Sequence, residues 1–94
     1  MTAISYQETL QPEACKNMND IRTEIDAIDH LIVSLLGRRF NYVKSAAQFK
    51  TSETSVKAPE RFAAMLQQRR VWAEQEGLSA DAIEKMYRDL ARAY

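Results

Sequence analysis

Only two glycines and two prolines occur in the 94 residues, too little turn chemistry for a fold built of many short strands. The single cysteine, Cys15, excludes an internal disulfide and has no metal-ligand neighbours, so a solvated thiol is expected. The single histidine, His30, follows Asp29 and Asp26, as a surface residue on an acidic helix face does. Thirteen Lys and Arg balance thirteen Asp and Glu, so no general attraction to nucleic acid or to an acidic membrane is expected. No apolar run reaches membrane-spanning length, and Met1 to Lys16 lacks the basic head and apolar stretch of a leader. These absences predict a cytoplasmic protein. There is also no nucleophile–base pair, metal spacing or glycine-rich phosphate loop, so no cofactor and no metal are expected.

What is present is helical. A content of 46% apolar and 28% charged residues suits one small soluble domain and does not indicate disorder. Residues 1–18 carry no periodicity and contain Pro12, which predicts a flexible N-terminal arm ahead of a helical domain over 19–94. Asn17 or Asn19 caps a helix that the periodicity extends to about Thr51. The polar, β-branched stretch Thr51 to Ala58 reads as a loop, and Pro59 with Glu60 reads as the start of a second helix. Gly77 ends that helix, and Ser79 caps a third whose stripe is Ile83, Met86, Tyr87, Leu90, Ala91 and Tyr94. That stripe is still in phase at Tyr94, so the third helix reads as cut short. One long and two shorter helices make a poor closed monomer. An intertwined all-α homodimer, with a second copy covering the long seam, is the expected architecture.

The seam carries the chemistry. It runs Ile21, Ile25, Ile28, Ile32, Leu36, Arg39, Val43, Ala46 and Lys50, at steps of three and four. Eleven residues of helix return a side chain to within about 20° and advance it about 16 Å, which places Arg39 and Lys50 on one face. Two cations on an apolar seam are costly unless an anion meets them. Arg39 has no acid three or four residues away. A small, multiply charged anion is the sharper explanation, with Val43 and Ala46 leaving room for about one ring. Lys50 alternatively reaches past the helix end and pairs with Glu53. Arg22 lies about 260° around from Arg39, so it serves a ligand in the other subunit or pairs with Asp26. Arg61 faces the pocket or pairs locally. Arg38, Arg69 and Arg70 are expected in solvent or framing the surface, and Met65, Trp72 and Tyr87 in packing. Gly37, inside the long helix, suggests close approach of another backbone or a ligand.

Asp20-Ile-Arg, Ile25-Asp-Ala-Ile-Asp, Leu36-Gly-Arg-Arg39, Tyr42-Val-Lys and Phe49-Lys50 resemble the all-helical chorismate mutase (type II) family. Ala58-Pro-Glu-Arg-Phe-Ala-Ala-Met-Leu66 and Trp72-Ala-Glu-Gln-Glu-Gly-Leu78 resemble its isochorismate–pyruvate lyase branch. The resemblance implies an intertwined dimer in which Arg39 and Lys50 bind a dicarboxylate from one chain and Arg22 enters from the other. Arg61, Met65, Val43 and Ala46 would complete the substrate-binding set, with Lys50 and Arg39 as catalytic residues. It further implies cofactor-free pericyclic elimination of isochorismate to salicylate and pyruvate, feeding for instance siderophore synthesis, with weak chorismate mutase activity alongside. A true chorismate mutase and a non-catalytic helical dimerisation module are the alternatives. The family's last helix continues about one turn further and brings an amide or acid to the pocket, a position beyond Tyr94.

Overall fold

The computed structural model describes residues 10–93, apart from the side chains of Thr54 and Ser55. Its helices are α1 (Met18–Ala46), α2 (Ser52–Gln75) and α3 (Ala80–Ala93), with short 3-10 turns at Pro12–Ala14 and Ala47–Phe49. No strand occurs among the described residues, as the composition predicts. The chain divides into two compact units, the first running through Ser45 and the second beginning at Ala46.

In the first unit, Asn17 settles the choice of cap. Its Oδ1 accepts the Asp20 N–H at 2.9 Å, and Asp20 Oδ2 in turn accepts the Lys16 N–H at 3.0 Å. One donor that the helix leaves over at its start, and one just ahead of the cap, are thereby satisfied by side chains. Of the predicted arm, residues 1–9 lie outside the described residues. Residues 10–17 hold a 3-10 turn, and the Leu10 N–H donates to Glu24 at 3.1 Å. Leu10, Pro12 and Cys15 face Ile21, Ile25 and Ile28 across a small apolar cleft. Cys15 is therefore half-buried rather than solvated. Burial first, then the carboxylates of Asp20, Glu24 and Glu13, push its thiol pKa up.

α1 has 29 residues and a length of about 44 Å. It ends at Ala46, five residues before the expected point near Thr51. The chain tightens into the turn Ala47–Phe49, and Lys50 leaves it in extended backbone (φ −75°, ψ 131°). Lys50 is thus off the helix, and the eleven-residue phase argument does not apply to it. No α1 residue is buried: Ile25, Ile28 and Ile32 are 49%, 37% and 45% exposed.

In the second unit, α2 starts at Ser52, so the expected loop 51–58 is helical and Pro59 sits inside α2. Glu53 in the first turn and its pair with Lys57 (3.4 Å) favour the helix locally. Together such terms contribute about 1 kcal/mol, against about 3 kcal/mol for an interior proline. The turns before Pro59 are therefore the most easily frayed part of α2. Its far end closes as expected. Gly77 takes φ +74°, the Leu78 N–H reaches the Ala73 carbonyl (2.8 Å) and the Gly77 N–H reaches that of Glu74 (3.1 Å). Ser79 Oγ accepts the Ala82 N–H at 3.1 Å and caps α3.

α2 and α3 pack as an antiparallel hairpin with Leu66 and Ala73 buried between them. Arg70 of α2 bonds Asp81 (2.8 Å) and Glu84 (2.9 Å) of α3, and Glu84 also takes Arg88 at 2.8 Å. Arg70 is an inter-helix brace, where the spacing had placed it at the surface. Arg88 in turn lies over the Phe62 ring, 5.8 Å from its centroid. Lys85 and Arg92 both bond Asp89.

Candidate active site

The predicted site residues fall into two groups, one on α1 and one from Lys50 onward. On α1, Arg39, Val43 and Ala46 share a stripe at steps of four and three. Arg39 is half-buried, while Val43 and Ala46 are exposed. Arg22 is exposed one turn into the same helix, well round from that stripe. No ion pair joins it to Asp26, the local alternative for this residue.

Arg38 differs from expectation. It is half-buried and lines a shallow concavity with Asn41, Tyr42 and Ser45 on α1. Lys44, on another face, lies over the Phe40 ring at 4.7 Å. His30 is exposed, as expected.

In the second unit, Lys50 is exposed immediately before α2. The alternative partner for it, Glu53, instead bonds Lys57. Arg61 and Met65 are brought together: with Ala64, Gln68 and Arg69 they line one shallow groove along α2. The spacing explains it, since positions 61, 65, 68 and 69 fall on one helical face. Arg61 makes no ion pair among the described residues. Trp72 continues the stripe at 46% exposure rather than entering the hairpin core. Gln68 and Arg69 are the groove residues that sequence reasoning missed. The signal was available, because Arg69 repeats Met65 at four residues and Gln68 repeats Arg61 at seven.

Arg69 is held by several contacts. Its guanidinium stands 4.6 Å from the Trp72 ring centroid and 5.6 Å from that of Tyr87. One terminal nitrogen donates to Gln68 Oε1 at 2.9 Å, and Nε is enclosed without a hydrogen-bond partner.

Chemically, both groups offer cations beside apolar side chains. Such surfaces bind and orient anions and stabilise developing negative charge. Among the described residues, no cluster of His, Cys, Asp and Glu is arranged to hold a metal, and no helix is long and apolar enough to cross a membrane.

Comparison with known proteins identifies the family. A protein of Pseudomonas aeruginosa named isochorismate pyruvate lyase is 49% identical over 83 residues, 88% of this chain and 82% of its own length. The T-protein of Haemophilus influenzae is 40% identical over 76 residues, and that of Enterobacter agglomerans 34% over 73. In both T-proteins the match spans only 20% of the relative's length. The pattern of the family described as chorismate mutase type II matches residues 21–94, from the start of α1 to the last residue, and the chain belongs to that family.

Proposed function

We propose that the protein is an isochorismate pyruvate lyase acting as an intertwined homodimer in the cytoplasm. The observation that carries this reading is the identity to the Pseudomonas aeruginosa protein of that name, which extends over most of both chains. The open Ile25, Ile28 and Ile32 stripe of α1 supports the dimer, because an apolar face of that length is costly in water and a second copy would cover it.

In this reading Arg39 and Lys50 of one protomer and Arg22 of the partner subunit hold isochorismate. Val43, Ala46 and Met65 wall its ring, and Arg61 adds a further cation. The arginines pin the two carboxylates and fold the enolpyruvyl group over the ring. A ring hydrogen then passes to the enolpyruvyl methylene carbon as the ring C–O bond breaks. Pyruvate leaves and the ring becomes the aromatic ring of salicylate. No general base enters, which suits a site made of cations. Lys50 stabilises the charge that grows on the ether oxygen.

Chorismate mutase activity is the second reading, supported by the family's description. One assay separates the two: turnover of isochorismate, followed by salicylate fluorescence, with chorismate run in parallel. Faster release of salicylate than of prephenate, dependent on Arg39, is the expected outcome. Prephenate as the faster product would assign a mutase, and no product from a folded dimer would overturn both.

A further inference from the structure

Five cations of the second unit meet carboxylates: Lys57 on Glu53, Arg70 on Asp81 and Glu84, Arg88 on Glu84, and Lys85 and Arg92 on Asp89. Arg69 meets none among the described residues, although it is half-buried. Its neighbours are two ring faces and the neutral amide of Gln68. Rings and an amide orient a guanidinium but carry no compensating charge. The orientation is nonetheless firm, since the planar group is stacked, bonded at one terminal nitrogen and enclosed at Nε. Eight residues separate it from Arg61, or about 12 Å along the axis, a span that two arginine side chains close by bending toward each other. Met65 and Ala64 form the apolar floor between them.

We propose that Gln68 and Arg69 are further substrate-binding residues, which with Arg61 make the α2 groove a cradle for a carboxylate borne on a small unsaturated ring. The inference rests on the reading above for Arg61 and Met65, and adds a second, preorganised fork to it. A bidentate carboxylate contact needs its donors fixed before the ligand arrives, and the Trp72–Arg69–Tyr87 stack supplies that. The only tryptophan of the chain thereby becomes a reporter of the site.

The test uses the full chain. Trp72 emission is titrated with benzoate and, as the neutral control, with benzyl alcohol. A saturable response to benzoate alone, lost in Arg69→Met and in Arg61→Met, is expected. In turnover, Arg69→Met should raise KM for isochorismate about tenfold and change kcat less than threefold, the pattern of lost uniform binding. Arg69→Lys, which keeps the charge without the fork, should recover part of the loss. A purely structural Arg69 would lower the melting temperature and leave KM alone, and that result overturns the proposal. If Arg69→Met does not fold, exposed Gln68→Leu decides, with an unchanged KM again overturning it. A wild-type chain that turns over isochorismate with KM indifferent to both positions sinks this inference and leaves the lyase standing. A wild-type chain inactive on both isomers, yet showing the Arg69-dependent benzoate response, sinks the lyase and leaves the anion cradle. No response and no turnover sink both.

Discussion

Replacing Lys50 with alanine asks whether the site is enclosed. In the single chain Lys50 is exposed, and its backbone N–H alone is engaged, donating to the Ala47 carbonyl at 3.3 Å. Truncating such a side chain should change folding stability by about 0.5 kcal/mol or less. Its effect on catalysis depends on the medium. At 4 Å two unit charges attract by about 1 kcal/mol in water and about 4 kcal/mol at an effective dielectric near 20. Those energies correspond to roughly fivefold and roughly a thousandfold in rate. If a partner subunit and substrate cover Lys50, Lys50→Ala should lower kcat by a hundred- to a thousandfold with KM changed far less. Stopped-flow salicylate fluorescence measures this, with a melting curve as the control for folding. A drop near fivefold would refute enclosure, and an unchanged kcat would refute the catalytic role altogether.

Arg39→Ala should abolish turnover while sedimentation still shows a folded dimer; gross unfolding would make Arg39 a structural residue. Gly37→Ala should raise stability by about 0.5–1 kcal/mol, because an added Cβ meets nothing within 4 Å in this chain. A loss in thermal melts would instead reveal another backbone packed on α1 at that point. Gly77→Ala should cost about 1 kcal/mol although space is open there, because φ is +74°. Hydrogen bonds from Arg88 and then Arg70 hold the Glu84 carboxyl below its ordinary value, so its stabilising effect is present above the unfolded-state value and is lost as pH falls through the lower folded one. The melting-temperature gap between wild type and Glu84→Gln should therefore be full above the ordinary glutamate range and close as pH falls through the lowered folded value; a gap independent of pH would refute the assignment.

Where chain direction is set by a few local atoms, the sequence was a good guide. Asn17, Gly77 and Ser79 each mark a helix end in the structure because one side-chain oxygen or one left-handed residue suffices. The segment before Pro59 went the other way. Its composition favours a loop and proline is a strong breaker, yet the helix begins at Ser52. Its described side chains are exposed, so the local helix terms of Glu53 and the Glu53–Lys57 pair outweigh the loop-like composition there. Trp72 shows a different limit. Periodicity assigns a residue to a face of α2, but it does not say whether α3, a ligand or a partner lies against that face. Leu66 and Ala73 are buried, whereas Trp72, in helical phase with Arg61, Met65 and Gln68, stays 46% exposed.

The candidate site was legible to the extent that charge sits where apolar residues belong. Arg39 stands out because it interrupts a row of Ile and Leu, and the structure keeps it on that stripe, half-buried. Lys50 is singled out by the same rule through a faulty premise, since α1 stops at Ala46 and the side chain leaves a turn instead of a helix. That change matters for mechanism. A lysine on an α-helix has its base fixed by the hydrogen-bonded turns on either side, while Lys50 stands in extended backbone between a 3-10 turn and the start of α2, held by one backbone hydrogen bond to Ala47. Arg69 is assigned to the surface together with Arg70, because the two look identical by composition. Only the hairpin geometry separates them, giving Arg70 two carboxylates and Arg69 two aromatic faces. A pair of adjacent arginines is thus divided into a brace and a cation with no acid of its own, and the second is the one with charge to offer a ligand.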